Sequence, residues 1–162
     1  MQNIQIKKDL AAKTIQITRA FKAPLNKVWR AFTEKELLDQ WWGPQPWRAE
    51  TKYMDFSEGG YWLYAMIGPE GEKHWSRADF QAIDPMKSFK GKDAFADEEG
   101  KVNTDLPVGQ WTNEFTETAE GTTVTNTLQF QTEKDLQTLV DMGFEQGYST
   151  GLNQLEALLE KI

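Results

Sequence analysis

The sequence predicts an α+β fold in which a curved antiparallel sheet of about six or seven strands wraps around one long C-terminal helix. Two patterns carry that expectation. From Leu136 through Val140, Phe144, Tyr148, Leu152 and Leu155 to Leu159, apolar residues recur at helical spacing and put a stripe on one face. From Trp47 to Phe130, apolar and polar residues alternate in short runs separated by Gly-, Pro- and Asp-containing turns. One amphipathic helix in such a chain has only the sheet to bury its stripe against, and the sheet must curve to meet it.

Ile4 to Phe21 reads as strand, with Ile4, Ile6, Ile15 and Ile17 alternating and a break at Asp9 to Lys13 that suits a hairpin turn or a bulge. Ala23-Pro24 opens a first short helix striped by Leu25, Val28, Trp29 and Phe32. Thr33 and Glu36 fit a capping box for a second helix, ended by Trp41-Trp42-Gly43-Pro44. Strands follow at Trp47 to Asp55, Tyr61 to Ile67, Trp75 to Ile83, Ser88 to Phe95, Val108 to Glu117 and Thr123 to Phe130. Their short connections imply antiparallel neighbours. Thr132 caps a helix predicted to run unbroken from Thr132 to Ile162, with Glu133 and Asp135 in its first turn and Lys161 in its last. Gly143, Gly147 and Gly151 recur every four residues inside it. They suit either close helix packing or the wall of a cavity.

Composition narrows the function. The 162 residues carry a net charge of −7 and contain no cysteine. An acidic chain without a Lys/Arg block is a poor partner for nucleic acid or anionic membrane. Zinc or copper chemistry lacks ligands, since His74 is the single histidine. No P-loop, dinucleotide fingerprint or nucleophile elbow occurs, so the sequence implies no cofactor and no metal. Lys7 and Lys8 are followed by no apolar signal segment, which makes a soluble cytoplasmic protein the expectation. No linker or repeat appears, and residues 1–162 read as one domain. Seven Trp and nine Phe suggest a core or cavity lined with rings.

Strand phase sorts the faces. Arg77, Asp79 and Gln81 face water, which turns His74, Ser76, Ala78, Phe80 and Ala82 inward. Val124, Asn126, Leu128 and Phe130 face the helix, as do Trp111, Asn113 and Phe115. Trp62, Tyr64 and Met66 are placed inward, leaving Tyr61, Leu63 and Ile67 as an outer apolar strip that another segment or a second subunit could cover. The interior mixes rings with the polar tips of Tyr64, His74, Asn113, Asn126 and Tyr148, the make-up of a small-molecule site. The candidate ligand-binding residues are Trp62, Tyr64, Met66, His74, Phe80, Trp111, Phe115, Phe144 and Tyr148. Within the helix, the leucine-rich end from Leu152 to Leu159 is expected to seal the core, and the end from Met142 to Tyr148 to border a cavity. His74, whose free pKa lies near neutrality, is the one candidate for proton transfer.

Several stretches together resemble a known family. They are Arg19-Ala20-Phe21-Lys22-Ala23-Pro24, Val28-Trp29-Arg30-Ala31-Phe32-Thr33, Trp41-Trp42-Gly43-Pro44, Glu58-Gly59-Gly60, Gly68-Pro69-Glu70-Gly71, Ile83-Asp84-Pro85, Asp93 through Gly100, Met142-Gly143-Phe144 and Gly147-Tyr148. Their order and spacing resemble the domain family named after the activator of the heat-shock-protein ATPase (Aha-type), within the START, or birch-pollen-allergen-like (SRPBCC), superfamily. The resemblance implies a helix-grip fold around a cavity. It carries over no catalytic residue, because the shared motifs are turns, helix starts and the helix seam. Around Gly91 and Lys92 the chain departs from the apolar strand usual in that family.

Three functions stay open at this level. One is binding of a small hydrophobic or aromatic ligand between sheet and helix. A second is a cyclase- or hydratase-like enzyme using the same cavity, with His74 or a tyrosine moving a proton. The third is a chaperone-ATPase cofactor or other interaction protein, for which the outer strip Tyr61, Leu63 and Ile67 is the candidate surface. That strip is equally the candidate face for a homodimer.

Overall fold

The computed structural model describes residues 4–106 and 108–162. Strands β1 (Ile4–Asp9) and β2 (Thr14–Phe21) precede helices α1 (Leu25–Thr33) and α2 (Lys35–Trp41). Then come β3 (Arg48–Met54), β4 (Tyr61–Ile67), β5 (Lys73–Asp84), β6 (Ser88–Ala96), β7 (Gly109–Thr118) and β8 (Gly121–Gln129). Helices α3 (Glu133–Asp141) and α4 (Phe144–Leu159) close the chain. The strands form one curved, open antiparallel sheet in the order β1-β2-β8-β7-β6-β5-β4-β3, gripping α4 as the layout predicts.

The sheet has eight strands rather than six or seven, because Ile4 to Phe21 is a hairpin and not one bulged strand. Lys13 N–H donates to the Leu10 carbonyl at 3.2 Å, and the register sets Ile6 opposite Ile17. β6, the strand in question around Gly91 and Lys92, is fully formed and paired on both edges.

The concave face carries Ile15, Ile17, Phe21, Trp62, Phe80, Phe89, Trp111, Phe115, Val124 and Leu128, all buried. α1 and α2 close one side of it with Val28, Phe32, Leu38 and Trp41. Leu152, Leu155 and Leu159 of α4 are buried against it as the leucine-rich end was expected to be, each side chain contributing about 1.5–3 kcal/mol. A buried arginine shares that face. Arg19 is 1% exposed and donates to Asn153 Oδ1 at 3.0 Å and Glu156 Oε2 at 2.8 Å, tying β2 to α4.

The predicted single helix from Thr132 to Ile162 is two. Thr132 caps α3 as expected, its side chain accepting from Asp135 N–H at 3.0 Å. At Met142-Gly143 the ladder stops, and Gly143 takes φ +85°. That left-handed geometry is cheap for glycine and ends a helix. The apolar period runs straight through the break, which is why periodicity alone joins the two. The other helix glycines face the α2–β3 connection at ordinary contact distance: a Cβ on Gly147 would meet Pro44 at 3.7 Å, and one on Gly151 the Trp41 carbonyl at 3.4 Å. α4 ends at Leu159, which leaves Lys161 beyond its last turn.

One further expectation is corrected. Thr33 does not cap α2: the N-cap is Glu34, and Thr33 Oγ1 donates back to the Trp29 carbonyl at 2.8 Å. Of the two covers open to the outer strip, another segment of the chain is the one present, and Leu63 and Ile67 are 3% and 5% exposed. The β6–β7 connection lies over Leu63, with Arg77 donating to the Gly100 carbonyl at 3.1 Å and Lys52 to the Glu98 carbonyl at 2.8 Å. The Arg77 guanidinium also lies 3.9 Å from the Tyr61 ring centre.

Candidate ligand cavity

Between the concave face, the α2–β3 connection and the start of α4 lies a cavity of about 70 Å³. Its walls are Phe32, Leu38, Trp42, Met54, Trp62, Ala78, Phe80, Phe89, Trp111, Leu128, Phe144 and Tyr148, with Asp93, Asn113 and Asn126 as polar members.

Each ring is held by an identifiable partner. Trp62 donates its indole N–H to Thr51 Oγ1 at 2.9 Å, and Thr51 donates in turn to Asp39 of α2 at 2.6 Å. Trp42 follows the last turn of α2, in a loop that Gln154 of α4 pins. The Gln154 amide donates to the carbonyls of Trp41 at 3.0 Å and Gly43 at 2.7 Å, and its oxygen accepts from Gln45 N–H at 2.8 Å. Trp42 thereby meets Trp62, Tyr148 and Trp41 edge-on at 5.5, 5.9 and 5.3 Å between ring centres. Such pairs add about 0.5–1.5 kcal/mol beyond their buried area and fix ring orientation. Phe144 and Tyr148 stack at 5.5 Å just after the Gly143 break and form the wall that ends nearest solvent.

The polar members come from three adjacent strands. Asn126 of β8 donates to Asn113 of β7, directly opposite it in register. Asp93 of β6 lies in a row that runs Trp62, Ala78, Asp93, Gly109 across four strands. Its cross-strand neighbours are therefore an alanine, which lines the void, and a glycine, which lies under the Phe130 ring. Burial pushes the Asp93 carboxyl up to about 7, and the Asp79 charge adds to the rise. The indole N–H of Trp111 beside it works in the opposite sense. That N–H is buried and lacks a partner at full hydrogen-bond geometry. Burial raises the Tyr64 and Tyr148 hydroxyls well above the usual tyrosine range, and in both the Asp93 carboxylate raises them further. Asp93, Tyr64 and Tyr148 thus sense one another electrostatically inside an apolar enclosure.

Of the nine residues proposed from sequence, Trp62, Phe80, Trp111, Phe144 and Tyr148 line this cavity. Tyr64 is buried behind Trp62, stacked on it at 4.1 Å. Phe115 is packed under α1 against Trp29 and Phe32 at 5.0 and 5.3 Å. Met66 and His74 sit opposite each other beyond the cavity. His74 is exposed, its ring 5.6 Å from Trp47. It lies on the inner face as its phase requires, but at the mouth of the β4–β5 hairpin, where nothing covers that face. The proton-active group that the cavity does contain is Asp93. Its signal was present in the alternation Phe89, Gly91, Asp93, Phe95, which puts it on the face of a buried phenylalanine. Trp42 was read only as a helix terminator.

Among the described residues no group of three or more His, Asp or Glu side chains is placed to hold a metal ion, and no helix is long and apolar enough to cross a membrane.

Residues 22–160 match the family described as Activator of Hsp90 ATPase homolog 1-like protein. The chain belongs to this family. The matched span of the Activator of Hsp90 ATPase homolog 1-like domain takes in every cavity residue and leaves out the β1–β2 hairpin. Solved structures agree over the whole length. Protein Ms6760 from Mycobacterium smegmatis is 37% identical over 96% of each chain, with a TM-score of 0.89. A protein from Staphylococcus epidermidis is 36% identical over 97% of this chain and 94% of its own, with a TM-score of 0.85. One from Arthrobacter aurescens is 30% identical over 98% and 92%, with a TM-score of 0.91. No curated protein matches the sequence.

Proposed function

We propose that this member of the family binds a small, largely apolar, ring-bearing molecule in the cavity between the sheet and α4. The observation that carries the reading is the enclosure itself. Rings from α1, the residue after α2, four strands and α4 surround a void whose polar groups converge from β6, β7 and β8, the arrangement expected of a small-molecule pocket.

Its size limits the ligand. At about 70 Å³ the cavity is smaller than the ~150 Å³ void known to admit benzene, so a ring enters only as Phe144 and Tyr148 swing outward. Their position directly after the Gly143 break suits that movement, because no continuous helix ladder has to open. Reading the protein as a chaperone-ATPase cofactor loses its surface argument, since Leu63 and Ile67 are covered by the chain itself. The same burial removes the argument for a homodimer through that strip.

Protein-observed NMR titrations of the purified protein with a panel of single-ring compounds test the proposal. Saturable binding that perturbs the resonances of Trp42, Trp62 and Tyr148 supports it. A panel with no saturable member, or binding that leaves those three unmoved, overturns it.

A further inference from the structure

Resting on that reading, the geometry points to Asp93 as the polar anchor of the cavity, holding the carbonyl oxygen of a small uncharged aromatic ketone or aldehyde. Four observations converge on it. Asp93 stands in the cavity wall, and its cross-strand neighbours, Ala78 and Gly109, are small residues that offer its carboxyl no polar partner. Among the described residues it makes no ion pair. A carboxylate enclosed by rings without a countercharge is costly, and the neutral acid is the form such a site retains. Finally, the Trp111 indole N–H, buried and without a hydrogen-bond partner, belongs to the same cavity wall.

The neutral form decides which ligand group is recognised. A neutral carboxyl has one donor and one strong acceptor oxygen. Trp111 can only donate, so it offers nothing to the O–H. What remains for the cavity is the O–H, a donor in want of an acceptor. A ketone or aldehyde oxygen supplies one without bringing charge into an apolar enclosure, and the attached ring fills the aromatic walls. An ammonium group would instead demand the ionised acid.

The groups that act on Asp93 are the Trp111 N–H from β7, which favours the carboxylate, and the Asp79 charge from β5, which favours the neutral acid. Tyr64 from β4 and Tyr148 from α4 are neutral phenols whose own hydroxyls respond to the Asp93 charge. Burial carries its pKa to about 7, which sets the direction of the pH dependence. The O–H donor is present below that value and is lost as pH rises through it.

Acetophenone and ethylbenzene, nearly equal in shape, provide the test, with affinities measured at pH 5.5 and 8.5. Acetophenone is expected to bind about tenfold more weakly at the higher pH, ethylbenzene equally at both. Asp93→Asn, whose amide still donates, should keep acetophenone binding and abolish its pH dependence. Asp93→Leu should lose the preference for acetophenone while still binding ethylbenzene. Equal, pH-independent affinities for the two compounds in the wild type would overturn the anchor and leave the cavity reading standing. Failure of both to bind at pH 5.5 would remove the cavity reading with it. Binding of 1-phenylethylamine that tightens as pH rises would show a carboxylate recognising a cation, and would overturn the proposal. Thermal melts of both variants establish that they fold.

Discussion

Gly91 lies directly opposite Trp111 across the β6–β7 pair, and the absence of a side chain on Gly91 is the space the indole occupies. A Cβ there would stand 2.9 Å from Trp111 Cζ2 and closer still to the Asp79 backbone carbonyl. The departure from an apolar strand at this point thus has a steric cause. Gly91 lets the Trp111 indole lie across β6, in the cavity wall that also holds Asp93.

Gly91→Ala follows from that contact. The obstacle on one side is backbone, which no rotamer change relieves, so overpacking of about 1–3 kcal/mol is expected. Thermal unfolding should show it as a fall in Tm of about 2–4 °C per kcal/mol. A Tm equal to that of the wild type would mean that Trp111 does not occupy this space.

Asp93 makes stability depend on pH with a definite sign. Its folded value of about 7 lies above the ordinary 3.8, equivalent to about 4 kcal/mol if the whole difference is expressed. The neutral acid is tolerated below pH ~4; stability then falls as pH rises from there through about 7, and the deficit is constant above. Asp93→Asn should raise stability by about 2–4 kcal/mol at pH 8 and leave it nearly unchanged at pH 4. Urea titrations at the two pH values measure the difference. An equal effect at both would remove the buried acid from the account.

Gly143→Ala distinguishes two helices from one. With φ at +85° and open space around a Cβ, the cost is purely conformational, about 1–2 kcal/mol. In an unbroken helix the same change would stabilise by up to about 1 kcal/mol. The sign of the change in a denaturant melt settles which geometry holds. Asn at this position should cost less than Ala.

Phe144→Ala should widen the cavity at its outer wall. Phe144 is only partly buried, so the loss of stability should be about 1–2 kcal/mol, below that for a core phenylalanine. A two-ring compound such as naphthalene should then bind more tightly than to the wild type. Tryptophan fluorescence reports the change, because Trp42 and Trp62 line the same space. Unchanged affinity would place the entrance elsewhere.

Much of this architecture is written in local pattern. Alternation assigned Trp62, Phe80, Trp111, Asn113, Asn126 and Leu128 to the inner face, because residue phase on a strand is a covalent property of the chain. Turn chemistry placed the hairpins, and Thr132 the start of α3. The resemblance to the Aha-type family was visible in the same turns and helix starts. Depth along the face is a different matter. His74 and Asp93 share the concave side, yet one is exposed at a hairpin mouth and the other enclosed, because enclosure depends on which stretch of sheet the helices cover. Pairing decides the rest. Only the register sets Gly91 under Trp111 and puts Ala78 and Gly109 beside Asp93, and only the fold of the β6–β7 connection covers Leu63. The helix break was hidden because an apolar period can continue across a left-handed glycine, whereas the hydrogen-bond ladder cannot. The sequence by itself determined the elements and their faces through local sterics and periodicity. The tertiary structure alone decided where the cavity lies and that Asp93 is its polar member, since burial and electrostatic environment arise from groups distant in the chain.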